Sequence, residues 1–446
     1  MAAVITIAQI AQYVGQEVTL RGWVYDRTET KKVHFVMVRD GSGLVQGVGF
    51  KPDLNDDLNA TIAGLTQESA IVVTGTVQAN PKAEKSIPQG YELAITGLEV
   101  VQMAVDYPIT PKDHGIEFLL DNRHLWLRSR RQWAVIRIRA TIVHALRNWL
   151  DERGFLLVDT PIITPTAGEN TTNLFEIDYF GEPAYLAQTG QLYNEANMMA
   201  FGKVYCFGPT FRAEKSKTRR HLMEFWMLEP EIAYCSLEDL MSIEESMIAH
   251  VVEQVIAKHP AELAILERDI ARLEAIKAPF ARISYDDAVQ RVQAAYEAET
   301  DPERKAFLKI EWGEDFGSAH ETAIAEMFDR PVFVYHYPTA VKAFYMQPVE
   351  GRPEVCRSVD LLAPEGYGEI TGGSERIYDL ALMDERVKNF GIDPNAYAWY
   401  LDLRKYGSVP HAGFGLGLER AVAWICGLDH LREGVPYARL LNRKYP

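Results

Sequence analysis

Between residues 211 and 225 the chain reads FRAEKSKTRRHLMEF, with Arg212, Lys215, Lys217, Arg219, Arg220 and His221 held between Phe211 and Phe225. A guanidinium can fork two oxygens of one phosphate, and a phenyl ring offers a π-face to a planar base. Taken alone, the stretch reads first as a solvated hairpin tip and second as a clamp for ATP. Further on, GFGLGLER (413 to 420) has three glycines but neither the GK[ST] of a P-loop nor the order of a dinucleotide fingerprint. Its glycines allow a backbone to approach a nucleotide, and Arg420 can neutralise a terminal phosphate; tight packing of a helix on a sheet is the other reading. Asp360 and Glu369, in DLLAPEGYGEITGGSER, are suited to hold Mg²⁺ against triphosphate oxygens or are surface acids around a turn. Taken together, the three clusters describe a site that binds ATP and exposes its α-phosphate to a carboxylate nucleophile. Such chemistry runs on positioning and charge neutralisation rather than on a general base.

The elements that must carry these residues follow from patterning. The 446 residues are 47% hydrophobic and 24% charged, enough for two or three domains with buried cores. A net charge of −16 excludes a broad basic coat for nucleic acid but not a local basic cluster. Cys206, Cys235, Cys356 and Cys426 form no CxxC pair, so buried thiols are expected rather than disulfides or zinc. The start, MAAVITIAQIAQYVG, has no basic leader, and no apolar run reaches the roughly 18 residues of a membrane span, so a cytoplasmic location and no membrane contact are expected.

Five alternating segments (EVTLRGWVYDR, KVHFVMVRD, LVQGVGF, AIVVTGTVQA, YELAITGLEVV) predict an OB-fold barrel over residues 1–105. Pro108, Pro111 and Gly115 mark a linker over 106–125, and the body over 126–446 completes an α+β chain. Val135, Ile138, Ile142, Leu146 and Trp149 give a long amphipathic helix whose apolar face has no obvious partner in its own chain, which predicts a C2 dimer. AYLAQ, KVYCFGPTF and EFWMLEPEIAY are expected as central strands of an antiparallel sheet, with Trp226 in the core; PVFVYHYP, KAFYMQP and EVCRSVDLLA are further strands. The block at about 237–300 is expected as a charged, solvated helical insertion without chemistry.

With these residues in view, the chain resembles the class II aminoacyl-tRNA synthetases over essentially its whole length. The helix and strand ending at Pro161 resemble motif 1, the dimer-forming element; FRAEKSKTRRHLMEF resembles motif 2; GLGLER resembles motif 3. An amino-terminal OB domain points to the aspartate, asparagine and lysine subgroup, and RGWVYDR, HFVMVRDGSG and VQ resemble its aspartate and asparagine members most. The resemblance implies that Arg212, Glu214 and Arg420 are catalytic, with Arg212 on the ATP α-phosphate and Arg420 on the γ-phosphate. Phe225 would stack on adenine, and Arg220, His221, Leu222, Gly417, Leu418 and Glu419 would complete the ATP site. Asp360 and Glu369 would carry Mg²⁺. Ser216, Lys217, Thr218 and Arg219 would touch the tRNA acceptor end, while Phe35 stacks an anticodon base and Gln46 reads the central uridine.

The amino acid is harder to read. Aspartyl members resemble QSPQ followed by a Lys and Gln; here the stretch is QTGQLYNE, with Asn194 at the Lys position and Glu195 after it. Glu229 can accept from an amide NH₂ or form a structural ion pair, and Arg376 can donate to a side-chain oxygen. An acceptor and a donor together suit asparagine, and an aspartate would leave a buried acceptor unpaired, a mismatch of order 10⁴. Gln191 would take the substrate amino group, Arg212 would also reach the amino acid, and Glu169 would belong to a lid. Gly372, in GGSER where aspartyl members resemble SGAQR, supports the same choice. Lys342 and Tyr345 are substrate contacts or core packing. The resemblance therefore implies an asparagine-activating ligase using ATP and Mg²⁺ and acting on tRNA(Asn), with an aspartyl enzyme as the nearest alternative.

Overall fold

The structure, a computed structural model, describes residues 2–165, 174–216 and 218–446, so Glu169 and Lys217 lie outside the described residues. The chain divides into two compact units, residues 1–119 and 120–446.

In the first unit, strands β1 (Glu17–Glu29), β2 (Val33–Arg39), β3 (Leu44–Phe50), β4 (Ala70–Ala79) and β5 (Tyr91–Gln102) pair in the order β1-β2-β3-β5-β4. Pairing of β4 back onto β1 closes the sheet into a five-stranded barrel. Strict alternation drives this closure: Val18, Leu20 and Val24 of β1 and Ile71, Val73 and Val77 of β4 all point inward. Gly75 sits where β4 turns a corner, since a Cβ there would lie 2.3 Å from the Ala94 carbonyl oxygen. On the outer face Phe35 opposes Val48 and Gln46 opposes Met37, so the two residues expected to meet RNA share one surface of β2 and β3.

After a short helical turn at Arg123–Trp126, the second unit enters helix α1 (Arg130–Asp151), whose start is capped by Ser129 accepting from the Gln132 amide. Strand β6 (Leu156–Leu157), helix α2 (Gln191–Phe201) and strands β7 (Lys203–Phe211) and β8 (Glu224–Ala233) follow, then helix α3 (Leu237–Lys258). Strands β9 (Ala281–Ser284), β10 (Val332–Tyr335), β11 (Ser358–Ala363) and β12 (Gly368–Arg376) precede helix α4 (Ala398–Lys405), strand β13 (His411–Gly417) and helix α5 (Leu418–Cys426). The eight strands pair as β9-β10-β11-β12-β13-β8-β7-β6, antiparallel except at the two ends.

Several expectations are corrected here. The apolar face of α1 has a partner within its own chain: α3 and α5 pack on it, and Val135, Ile138, Ile142, Leu146 and Trp149 join one core with Leu240, Met247, Val251 and Val255 of α3. The same fact overturns the solvated insertion at 237–300, because α3 buries an apolar face against both α1 and the sheet; its charged residues lie mostly on the remaining surface. Tyr285, Val289 and Val292 of the next long helix are buried as well. AYLAQ belongs to a separate three-stranded sheet, not to the central one. KAFYMQP is a turn in which Phe344 and Tyr345 are buried. Trp226 is 38% exposed: alternation puts it on the same face as Leu228 and Ile232, but it stands near the start of β8, where it meets Phe207 edge-on at 5.7 Å. All four cysteines are buried and unpaired.

Candidate active site

The site occupies one face of the central strands β12, β13 and β8. Alternation on β8 sends Met227, Glu229 and Glu231 to this face while Leu228 and Ile232 enter the core. Opposite them on β13, every second residue is glycine. A Cβ on Gly413 would lie 2.2 Å from Glu231 Oε1, and one on Gly415 would lie 2.4 Å from Met227 Cε. The glycine spacing of GFGLG therefore makes room for the β8 side chains, while Phe414 and Leu416 anchor the strand below.

Two cavities open on this face. The first, of about 140 Å³, is lined by Arg212, Glu214, Arg220, His221, Leu222, Phe225, Glu369, Gly417, Glu419 and Arg420. Arg212 lies over the Phe225 ring, its guanidinium carbon 5.5 Å from the centroid. His221 Nε2 is 3.3 Å from Glu214 Oε2, and burial pushes the His221 imidazole down. Arg220 donates to Glu321 at 3.2 Å, to Thr322 Oγ1 at 3.1 Å and to the Gly366 carbonyl, so it braces the outer wall. Glu419 lines the cavity but its oxygens are engaged elsewhere, by Arg139 of α1 at 2.7 Å and the Trp226 amide at 3.0 Å. Leu418, expected in this group, is buried in the core at the start of α5, one residue out of phase with the cavity wall.

The second cavity, of about 560 Å³, includes Thr189, Gln191, Glu229, Lys342, Asp360, Gly372 and Arg376 in its wall. Both cavities share Arg212, Met227, Glu369 and Gly415. Glu229 accepts from the Gly190 amide at 2.8 Å and from the Thr189 hydroxyl. Arg376 is held by Glu231 through Nη2 at 2.6 Å and Nε at 3.4 Å, and donates to Ser374 Oγ at 2.8 Å. Burial pushes the Glu231 carboxyl up to about 7 against the opposing pull of Arg376, while Glu231 holds the Arg376 guanidinium firmly charged. Glu231 was not among the expected site residues, although an acid two residues beyond Glu229 on the same strand must share its face.

Asn194 is not on the cavity wall. It is fully buried on α2, donating to the Glu229 carbonyl oxygen at 2.7 Å and accepting from Asn197 at 3.2 Å. The helical turn that points Gln191 into the cavity points Asn194 at the backbone of β8, so it can support Glu229 but not touch a substrate there. Lys342 lines the cavity and pairs with Asp360 at 2.7 Å over the Tyr337 ring; Tyr345 packs beneath Arg376.

Asp360 and Glu369 converge over Gly372. A Cβ at that glycine would lie 3.0 Å from Glu369 Oε1 and 3.3 Å from Asp360 Oδ1, so the bare backbone leaves a cradle between two carboxylate oxygens. The other oxygen of each is taken, Glu369 Oε2 by Arg420 at 3.2 Å and Asp360 Oδ2 by Lys342. Burial raises Asp360 to about 7; for Glu369, Arg420, Lys342 and Arg212 outweigh burial and hold the carboxyl below its ordinary range. A pair of carboxylates beside a phosphate-binding cavity is the donor set that takes Mg²⁺ together with substrate phosphates. No group of three metal-binding side chains occurs among the described residues.

Ser216 and Thr218 both reach His221 Nδ1, Ser216 at 3.2 Å, and Arg219 lines a cleft of about 910 Å³ outside the first cavity.

This arrangement coincides with known proteins. Residues 115–441 match the tRNA synthetases class II (D, K and N), and residues 18–101 match the OB-fold nucleic acid binding domain. The chain belongs to the class II tRNA synthetases of the D, K and N group. Its relatives there include the asparagine–tRNA ligase of Chloroflexus aurantiacus, 55% identical over 99% of this chain and 98% of that one. The asparaginyl-tRNA synthetase of Pyrococcus horikoshii complexed with asparaginyl-adenylate superimposes with a TM-score of 0.92 at 40% identity over all of both chains. The Entamoeba histolytica asparaginyl-tRNA synthetase with asparaginyl-adenylate gives 0.87 at 33% identity, again over all of both chains.

Proposed function

We propose that the chain is an asparagine–tRNA ligase, which activates L-asparagine with ATP and transfers it to tRNA(Asn). The observation that carries this reading is the wall of the second cavity, where the acceptor Glu229 stands near an Arg376 whose charge Glu231 already compensates. A neutral carboxamide offers a donor and an acceptor to that pair and adds no charge. An aspartate carboxylate would face Glu229 and bring a further negative charge into a buried cluster.

In the first step the asparagine α-carboxylate attacks the α-phosphorus of ATP, a P–O bond forms, and pyrophosphate leaves. Arg212, in the wall common to both cavities, would hold the carboxylate and the α-phosphate together, and Phe225 would offer the face for adenine. Arg420 would meet the charge of the terminal phosphate, in the cavity that His221 and Glu214 also line. Asp360 and Glu369 would hold Mg²⁺, which supplies charge neutralisation for the triphosphate. In the second step the 3′-terminal ribose hydroxyl of tRNA attacks the acyl carbon and AMP leaves. Ser216, Thr218 and Arg219 are assigned to the acceptor end, and Lys217 and Glu169, outside the described residues, keep their assignments to tRNA and to the lid.

We take residues 1–105 as the anticodon-binding domain, with Phe35 and Gln46 as its readers, 106–125 as linker and 126–446 as the catalytic body. A homodimer is proposed on different grounds from the α1 face: Leu156 of the edge strand β6 and Phe201, just ahead of the neighbouring β7, are exposed, and a second copy can cover them. A cytoplasmic setting agrees with this activity, and no described helix is long and apolar enough to cross a membrane. ATP–pyrophosphate exchange with asparagine and with aspartate tests the proposal. Exchange supported by aspartate and not by asparagine would overturn it.

A further inference from the structure

Glu195 lies one helical turn beyond Gln191 on α2, is fully buried, and lines neither cavity. Four side chains converge on its carboxylate. Arg404 of α4 donates through Nη2, the Tyr400 hydroxyl reaches Oε1 at 2.7 Å, His411 Nε2 stands 3.1 Å from Oε2, and Gln191 Nε2 donates to Oε1 at 3.1 Å. Burial works to raise this carboxyl, but Arg404 and then His411 overcome it and hold Glu195 well below the ordinary carboxylate range.

An ionised carboxylate has acceptors only, whereas a glutamine amide has a donor end and an acceptor end. Gln191 must therefore turn its NH₂ toward Glu195, and its carbonyl oxygen is the end presented to the second cavity. We propose that Glu195 is a positioning residue that fixes the polarity of the Gln191 amide, so that the cavity offers a carbonyl oxygen to the α-ammonium group of the amino acid. The inference rests on the reading of this cavity as the asparagine site. It separates Glu195 from a core ion pair with Arg404, because a core ion pair would have no preference among ligands.

Glu195→Gln keeps the shape but lets residue 195 offer either end of an amide, so the orientation of Gln191 is no longer imposed. The KM for L-asparagine in ATP–pyrophosphate exchange is expected to rise about ten- to hundredfold, the range of one lost charge-assisted hydrogen bond. Inhibition by succinamic acid, which has the same skeleton without the α-amino group, is expected to stay unchanged. Gln191→Met should show the same selectivity, and the double variant should be no worse than Gln191→Met alone. Glu195→Asp, which keeps the charge but withdraws it by one methylene, gives a second route should Glu195→Gln fold poorly, with the same selective loss expected.

Equal weakening of asparagine and succinamic acid, or an unchanged KM for asparagine in a folded variant, would overturn the inference while wild-type exchange with asparagine still stands. Failure of the wild-type protein to exchange with asparagine would instead defeat the assignment of the cavity, and this inference with it.

Discussion

Glu229→Gln changes one carboxylate oxygen into an NH₂, and its consequences follow from two contacts. The Gly190 N–H can only donate, so the remaining carbonyl oxygen must stay on it, 2.8 Å away in the parent. The new NH₂ then takes the place of Oε1, and the Thr189 hydroxyl, which donates to that oxygen in the parent, rotates to accept. Internal satisfaction is kept and the fold should survive. The cavity, however, loses its anionic acceptor, and the carboxamide NH₂ of asparagine meets a donor. Loss of a hydrogen bond to a charged group costs about 1.5–3 kcal/mol, which lowers kcat/KM for asparagine by about 10- to 150-fold at about 1.4 kcal/mol per decade. Aspartate moves the other way, since its carboxylate exchanges a like charge for a donor. If that gain is of similar size, the ratio of the two kcat/KM values shifts by about 10² to 10⁴. Exchange kinetics with each amino acid, with the KM for ATP as control, measure the ratio. A variant that slows with asparagine while the ratio stays fixed would show that Glu229 acts as a structural acid, and the account of selectivity would fail.

Gly372→Ala would place a methyl group 3.0 Å from Glu369 Oε1 and 3.3 Å from Asp360 Oδ1. We expect the Mg²⁺ concentration for half-maximal exchange to rise about tenfold or more, with unchanged thermal stability in the absence of ATP; an unshifted Mg²⁺ titration would remove these two acids from the metal site. Glu244, fully buried on α3 and accepting from Thr371, is pushed by burial from its ordinary 4.5 up to about 8. Its folded value is raised, so the neutral acid stabilises the fold fully below about pH 4.5, and that stabilisation fades at up to about 1.4 kcal/mol per pH unit as pH climbs toward 8. Glu244→Gln, a permanent mimic of the neutral acid, should therefore melt progressively higher than the parent as pH rises from about 5 to about 8 and by a constant margin above that, and a gap independent of pH across this window would contradict the assignment. Phe35→Ala should leave exchange untouched and raise the KM for tRNA about tenfold or more through a lost stacking platform; equal KM values would place the RNA elsewhere on the barrel.

The barrel was legible because each strand shows one face to the core, and a period of two can be read by eye in β1 and β4. The three glycines of GFGLG were legible for the same reason, since alternate glycines on a strand mean that a neighbouring layer needs the space. What escaped was phase and partnership. Asn194 and Gln191 are three residues apart and look like one motif, yet a helix turns them onto different surfaces, and only the position of β8 decides which of them faces the cavity. The apolar stripe of α1 was visible, but its partner α3 begins almost 90 residues after α1 ends, with six described strands and a helix between them, and the charges of that block drew attention away from Leu240, Met247 and Val251. Trp226 shows the converse: size and parity with Leu228 on β8 both suggested the core, yet it lies near the start of the strand, where it stays 38% exposed.

The four residues common to both cavities have a consequence for substrate order and for traffic. Because Arg212, Met227, Glu369 and Gly415 line both chambers, a ligand in either one meets side chains that the other also uses, so the two substrates should be energetically coupled even though they are chemically unlike. On the proposed reading, the mixed anhydride made there would fill both chambers at once. Its grip would then be close to the sum of the two separate ones, which would make the intermediate a poor leaver and the protein its storage vessel until an RNA end arrives.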